Sequence, residues 1–206
     1  MIFFYINHLQ RSIFHSLTPS LALGTVILTL TSGLALATEK VAEHSYQSCT
    51  MITTELLTTI QLYEKGIPLD LLIESLPSLS KEGEKRVRLT YQLADKAEPL
   101  SSYSTINSDY AKCAKAVFSK HGKPTPTSVE YGYYFCSGEN KLRYEIALSI
   151  YLKANKDEVI PQLPKSRQKI GVHYFNLAEE EGLEAVFDLM ANSLKHCVNQ
   201  LGSTKQ

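Results

Sequence analysis

Four cysteines carry the most obvious chemistry in this sequence of 206 residues: Cys49, Cys113, Cys136 and Cys197. A free thiolate can act as a nucleophile or bind a soft metal ion. An even number of cysteines in an exported chain instead favours disulfide bonds. The four are widely separated, and none has the C-x2-C spacing of structural zinc sites. The sequence therefore predicts two disulfides and no metal site.

The cysteines divide into two similar frames, which predict how they pair. Cys49 and Cys113 are 64 residues apart, and Cys136 and Cys197 are 61 apart. Both frames contain a Leu-Pro pair at the same distance from the first cysteine, Leu76-Pro77 and Leu163-Pro164. Both also contain a Leu-Ala-acid triplet at the same distance from the second cysteine, Leu93-Ala94-Asp95 and Leu177-Ala178-Glu179. Such internal similarity indicates a tandem duplication with one bridge per copy. A nested pairing, Cys49 with Cys197 and Cys113 with Cys136, is the main alternative, and four free thiols are another.

No other residues form a motif with catalytic or cofactor-binding chemistry. After residue 37 the histidines are His44, His121, His173 and His196, and no two have the i, i+4 spacing of metal ligands on one helix face. His196 precedes Cys197, but neighbours on a helix point about 100° apart, and a bridged cysteine has no thiolate. The acidic run 179–181 is typical of a solvated helix end. We therefore predict no catalytic residue, no cofactor and no metal.

An aromatic cluster is the stretch most typical of a binding surface. A helix through this stretch carries aromatic side chains on all sides, so they cannot all face one core. Because tyrosine combines a large apolar area with a polar tip, it is enriched at protein interfaces. The predicted partner surface comprises Tyr131, Tyr133, Tyr134, Tyr144 and Tyr151. The alternative is that these rings pack between the two copies.

The first 37 residues are predicted to be a signal peptide. The segment 21–37 is apolar and uncharged, and it ends in Ala35-Leu36-Ala37, a typical cleavage pattern. Cleavage there leaves no membrane span and predicts a periplasmic or secreted protein. The alternative is that the segment stays uncleaved and anchors the protein in the inner membrane.

Charge excludes two classes of partner. The chain has 21 basic and 21 acidic residues. A nucleic-acid-binding protein needs a basic surface to neutralise phosphates, so a balanced chain argues against nucleic acid. The same balance argues against strong attraction to anionic membranes.

Hydrophobic periodicity predicts an all-α fold with two tandem disulfide-stapled units of about four helices each. The units are residues 38–122 and 128–202, joined by the Pro-containing linker 123–127 and followed by a frayed tail at 203–206. In the first unit we predict helices at 42–65, 69–76, about 80–97 and 105–120; in the second, at 127–154, 157–162, 166–181 and 183–201. Thr127 to Glu130 fits a capping box at the start of the second unit.

These features predict an exported, non-enzymatic protein that binds another envelope or secreted protein. An accessory subunit, a toxin inhibitor or immunity protein, and a chaperone-like protein all fit. In architecture, the export signal, helices and cysteine pairs resemble small periplasmic acid chaperones, although no motif carries that resemblance. The alternative is an envelope hydrolase with its site between the two units. A deep pocket with converging polar residues would favour the enzyme, and a broad tyrosine-bearing face would favour the binding protein.

Overall fold

The helices follow the predicted order in the computed structural model, which describes residues 44–203. This part of the chain contains eight α-helices and no strand, which confirms the all-α class. The helices are α1 (Tyr46–Glu64), α2 (Leu69–Glu74), α3 (Lys81–Lys96), α4 (Pro99–His121), α5 (Val129–Tyr151), α6 (Lys156–Val159), α7 (Gln168–Glu181) and α8 (Leu183–Ser203). Two short 3-10 turns, Ile160–Gln162 and Lys165–Arg167, lie between α6 and α7.

Local sequence explains where several helices begin and end. Ser45 caps α1, and Ser80 caps α3 by accepting a hydrogen bond from the Gly83 amide. Gly122 follows α4 with φ 71°, a conformation that side-chain-bearing residues rarely adopt. The predicted start of the fourth helix at residue 105 is wrong, because this helix already begins at Pro99. This proline is the first residue of α4, a position that needs no amide hydrogen and suits the fixed proline φ.

The predicted capping box at the start of the second unit is also wrong. Ser128, not Thr127, precedes α5, and its side chain makes no capping hydrogen bond. The carboxylate of Glu130 instead accepts hydrogen bonds from the backbone amides of Tyr46 (2.8 Å) and Gln47 (3.3 Å) at the start of α1. The acidic side chain therefore caps a helix from the other half of the chain.

Both disulfides of the one-bridge-per-copy pairing are present. Cys49–Cys113 joins α1 to α4, and Cys136–Cys197 joins α5 to α8; the Cα–Cα distance is 5.9 Å in each. In the chain-entropy account, closing loops of 64 and 61 residues stabilises the fold by about 4 kcal/mol per bridge. Each bridge ties the first long helix of its half to the last.

The two halves repeat one order of elements, namely a long helix, a short helix, a helix of intermediate length and a second long helix. This order fits the predicted duplication, which stays a prediction. Within residues 44–203 the halves form one compact unit, since α1 packs against α5 and α8 as well as against α4. The fully buried side chains of the shared core include Leu57, Ile60, Tyr103, Ile146, Val186, Phe187 and Met190.

The predicted signal peptide, residues 1–37, lies outside the described residues, as do residues 204–206. At the carboxyl end, α8 continues through Gly202 to Ser203, beyond its predicted end. Among the helices of residues 44–203, none is long and apolar enough to cross a membrane.

Candidate functional site

Four helix ends meet at one pole of the bundle. These are the starts of α1 and α5 and the ends of α4 and α8. The hydroxyl of Tyr46 donates to the carbonyl of Gly122 (3.1 Å), while Glu130 caps the start of α1. Gly132 lies so close to α8 that a Cβ atom there would be 2.5 Å from the Leu201 side chain. The absence of a side chain at this position lets α5 and α8 approach closely.

Aromatic rings run through this pole from the core to the surface. Buried Tyr46 packs edge-on against Tyr134, with ring centroids 5.2 Å apart. Tyr134 in turn contacts Tyr131 (6.1 Å) and stacks on Phe118 (6.5 Å). Phe118 is 49% exposed. We call Tyr46, Phe118, Tyr131 and Tyr134 the aromatic patch.

The segment that joins α4 to α5 beside the aromatic patch has more lysines than acidic residues. Residues 115–135 contain three lysines, Lys115, Lys120 and Lys123, and one acidic residue, Glu130. The ammonium group of Lys123 lies 5.7 Å from the centroid of the Tyr131 ring, within the range of a cation–π interaction. The Glu130 carboxylate accepts amide hydrogens of α1.

The five predicted interface tyrosines do not form one surface. Tyr131, Tyr133 and Tyr134 are half-buried at the start of α5. Tyr144 is buried, and its hydroxyl hydrogen-bonds to Ser104 on α4. Tyr151 is 60% exposed at the other end of α5, about 30 Å from the aromatic patch at the 1.5 Å rise per residue of a helix.

The structure adds residues that the sequence reasoning did not find. Tyr46 and Phe118 belong to α1 and α4, far from the tyrosine-rich segment in sequence, yet both rings contact Tyr134. The predicted Cys49–Cys113 bridge could have indicated that these two helices meet. It pairs the start of α1 with the second half of α4, so Phe118, just beyond Cys113, must lie near the start of α1.

A cleft of about 750 Å³ lies near the opposite pole, lined by residues of both halves. It carries the carboxylates of Glu64 on α1 and Glu184 on α8, together with Tyr63 and Tyr91. Glu64 is an exposed residue, yet partial desolvation of its carboxylate raises its pKa. The hydrogen bond from the Tyr103 hydroxyl (3.0 Å) opposes that rise, while the nearby carboxylate of Glu184 adds to it.

A second cavity, of about 410 Å³, lies beside the Cys136–Cys197 bridge. The Glu139 carboxylate there is paired with the guanidinium groups of both Arg143 and Arg167. This carboxylate is therefore fully engaged by two guanidinium groups, and the two sulfur atoms beside the cavity are held in the disulfide.

Polar side chains also join the two halves. Gln61 of α1 is buried, and its amide group donates to Asp188 and to Asn192 (3.2 Å) on α8. Lys195 of the same helix donates to the Gln61 carbonyl oxygen, and burial lowers the pKa of this lysine. Because buried polar groups are costly unless they are paired, these hydrogen bonds favour one relative placement of α1 and α8.

No family model, curated protein or solved structure matches this chain.

Proposed function

We propose that this chain is an exported, non-enzymatic protein that binds a partner protein through the aromatic patch. The observation that carries the proposal is the half-exposed Phe118 at the end of a continuous series of rings. Single exposed apolar side chains are normal on protein surfaces. A contiguous series of aromatic rings that reaches the surface is instead typical of protein interfaces, where aromatic anchors supply much of the binding energy.

The surroundings of the patch favour a partner segment that is both acidic and apolar. Lys123, which lies over the Tyr131 ring, and the exposed Lys115 would attract carboxylates. Phe118 and Tyr131 would contact apolar side chains, and their ring contacts with Tyr134 hold them in place before binding. Rigid anchors of this kind lose little conformational entropy when they bind. An accessory subunit, a toxin inhibitor or immunity protein, and a chaperone-like protein could all use such a surface.

We place the protein in the periplasm or outside the cell. The two disulfides support this placement, because such bonds persist in oxidising compartments. The apolar segment 21–37 with its A-x-A ending supports export by a cleaved signal peptide. Retention of that segment as an inner-membrane anchor is the alternative.

Site-specific crosslinking tests the binding proposal. A photoreactive residue in place of the exposed Lys123, which lies over the Tyr131 ring, should crosslink to one discrete partner in the cell envelope. Phe118→Ser should abolish that product. Leu89→Ser is the matched control, since Leu89 lies on α3 and is 52% exposed, close to the exposure of Phe118. If the product persists in Phe118→Ser, or is lost equally in Leu89→Ser, the patch is not the binding site.

The cleft near the opposite pole supports a second candidate, an envelope hydrolase with its site between the two halves. Two carboxylates line it, and the pKa of Glu64 is raised by partial desolvation. In a glycosidase, one such carboxylic acid protonates the leaving oxygen and a second carboxylate acts as base or nucleophile. Glu64 would be the acid and Glu184 the partner. Purified chain incubated with envelope polysaccharide should then release reducing ends, and Glu64→Gln should stop the release while Phe118→Ser leaves it unchanged.

A further inference from the structure

The first disulfide differs from the second by a third potential metal donor. A ring nitrogen of His44 and the sulfur atoms of Cys49 and Cys113 all lie within 4.8 Å of one another. In residues 44–203 this is the one group of three such donors that the structure brings together. His44 is exposed and Cys113 is half-buried, so the group opens to solvent, whereas Cys49 is only 2% exposed.

Several hydrogen bonds fix the chain that carries His44. The adjacent Ser45 and Ser48 form a reciprocal cap, in which each side-chain oxygen accepts the backbone amide hydrogen of the other residue (3.0 and 2.9 Å). Glu130 also holds the amide of Tyr46. His44 is therefore attached directly to an ordered helix start, which keeps it near the sulfur atoms. Such support is what a metal site requires of the residues behind its ligands.

We propose that reduction of the Cys49–Cys113 bridge creates a binding site for one thiophilic metal ion, Cu⁺ or Zn²⁺. A dithiol reductant supplies two electrons and two protons, so the S–S bond becomes two thiols and the reductant becomes a disulfide. The ion then displaces both thiol protons and binds two thiolates and the His44 imidazole. Thiolate and imidazole are ligands that both ions accept.

The distances are suitable for such a site. Zinc–sulfur bonds are about 2.3 Å and zinc–nitrogen bonds about 2.0 Å, so two donors on one ion lie about 3.5–4 Å apart. Donors already within 4.8 Å can reach this geometry when the two sulfur atoms separate after reduction. Cys49 is in the first turn of α1, where the helix dipole favours a negative group such as a thiolate.

The second disulfide provides an internal control. His196 adjoins Cys197 on α8, but successive helical residues point about 100° apart. The His196 ring is also within hydrogen-bonding distance of the Gln200 side chain (2.9 Å). Reduction of Cys136–Cys197 therefore exposes two thiols without a third donor beside them.

Metal competition tests the proposal. Chain reduced with a phosphine is titrated with Cu⁺ or Zn²⁺ in separate arms against a coloured chelator. The double variant Cys136→Ser/Cys197→Ser keeps only the Cys49–Cys113 pair. Its reduced form should bind one ion, and its oxidised form should bind none. Cys49→Ser/Cys113→Ser should lose the site. In the reduced wild-type chain, His44→Ala should weaken binding at least about tenfold, the usual scale for loss of a group that supports a metal site. The matched variant His196→Ala should bind like wild type.

Far-UV circular dichroism, recorded in the same samples, separates a metal site from unspecific binding to unfolded thiols. If the reduced chain stays helical, the ion should raise its melting temperature, because it binds the folded state. If reduction unfolds the chain, the ion should restore the helical signal, and less well in His44→Ala. The proposal is overturned if both cysteine pairs bind equally well, if His44→Ala and His196→Ala behave alike, or if no ion stabilises or restores the helical fold.

Discussion

Phe187 offers the sharpest test of how the two halves are joined. Its side chain on α8 is 1% exposed, and its ring stacks on Tyr103 of α4 at 5.7 Å and contacts Tyr144 of α5 at 6.5 Å. It therefore packs against aromatic residues from both halves. Phe187→Ala removes a buried ring and leaves a cavity, which typically costs 3–5 kcal/mol. We expect the free energy of unfolding to fall by about 4 kcal/mol.

Urea unfolding measures this loss. Far-UV circular dichroism reports the helices, and tyrosine fluorescence is usable because the chain has no tryptophan. If residues 44–203 unfold as one cooperative unit, both signals should change together, and Phe187→Ala should shift both midpoints equally. Phe118→Ala is the matched control. It removes the same side chain at the surface, and we expect it to cost less than about 1.5 kcal/mol, the upper end for an aromatic pair.

Two separate transitions, only one of them shifted by Phe187→Ala, would refute the single shared core. So would a loss no larger than that of Phe118→Ala, since the Phe187 ring would then contribute little to joining the halves. The first outcome would instead support two units that fold independently.

Four further substitutions test individual positions. Glu130→Ala removes the carboxylate that caps α1 at the Tyr46 amide, and should lower the free energy of unfolding in urea by about 0.5–2 kcal/mol. The raised pKa of Glu64 means that the fold favours the protonated carboxyl group. Stability therefore falls as pH rises from the normal glutamate pKa through the raised one. Glu64→Gln should raise the melting temperature at neutral pH, but not in acid below both pKa values. Gly122→Ala places a side chain at φ 71° and should cost about 1–2 kcal/mol, whereas Gly138→Ala, in open space within α5, should stabilise by about 0.5–1 kcal/mol, both read from urea midpoints. An unchanged midpoint for Glu130→Ala would contradict the cap on α1. A pH-independent effect of Glu64→Gln would contradict the raised pKa. Equal effects of the two glycine variants would contradict the requirement for glycine at position 122.

The sequence by itself indicated the order of the helices and favoured the disulfide pairing that the structure contains. Helix periodicity depends on residues a few positions apart, so the ends of α3 and α4, predicted at about 97 and at 120, lie within one residue of those in the structure. The pairing of Cys49 with Cys113 followed from the repeated spacing of the two frames. The late predicted start of α4 has the same local origin, because a proline can end one helix or occupy the first position of the next, as Pro99 does.

Only the tertiary structure decided which surfaces meet. Glu130 was assigned to its own helix start, yet it caps α1. Tyr144 was assigned to a partner surface, yet it is buried against α4, and Phe118 joins the aromatic patch from another helix. The physical reason is that helical spacing shows which side chains share a face but not which face of another helix covers them. That choice depends on the packing of all the helices together, which also brings His44 beside the Cys49–Cys113 bridge.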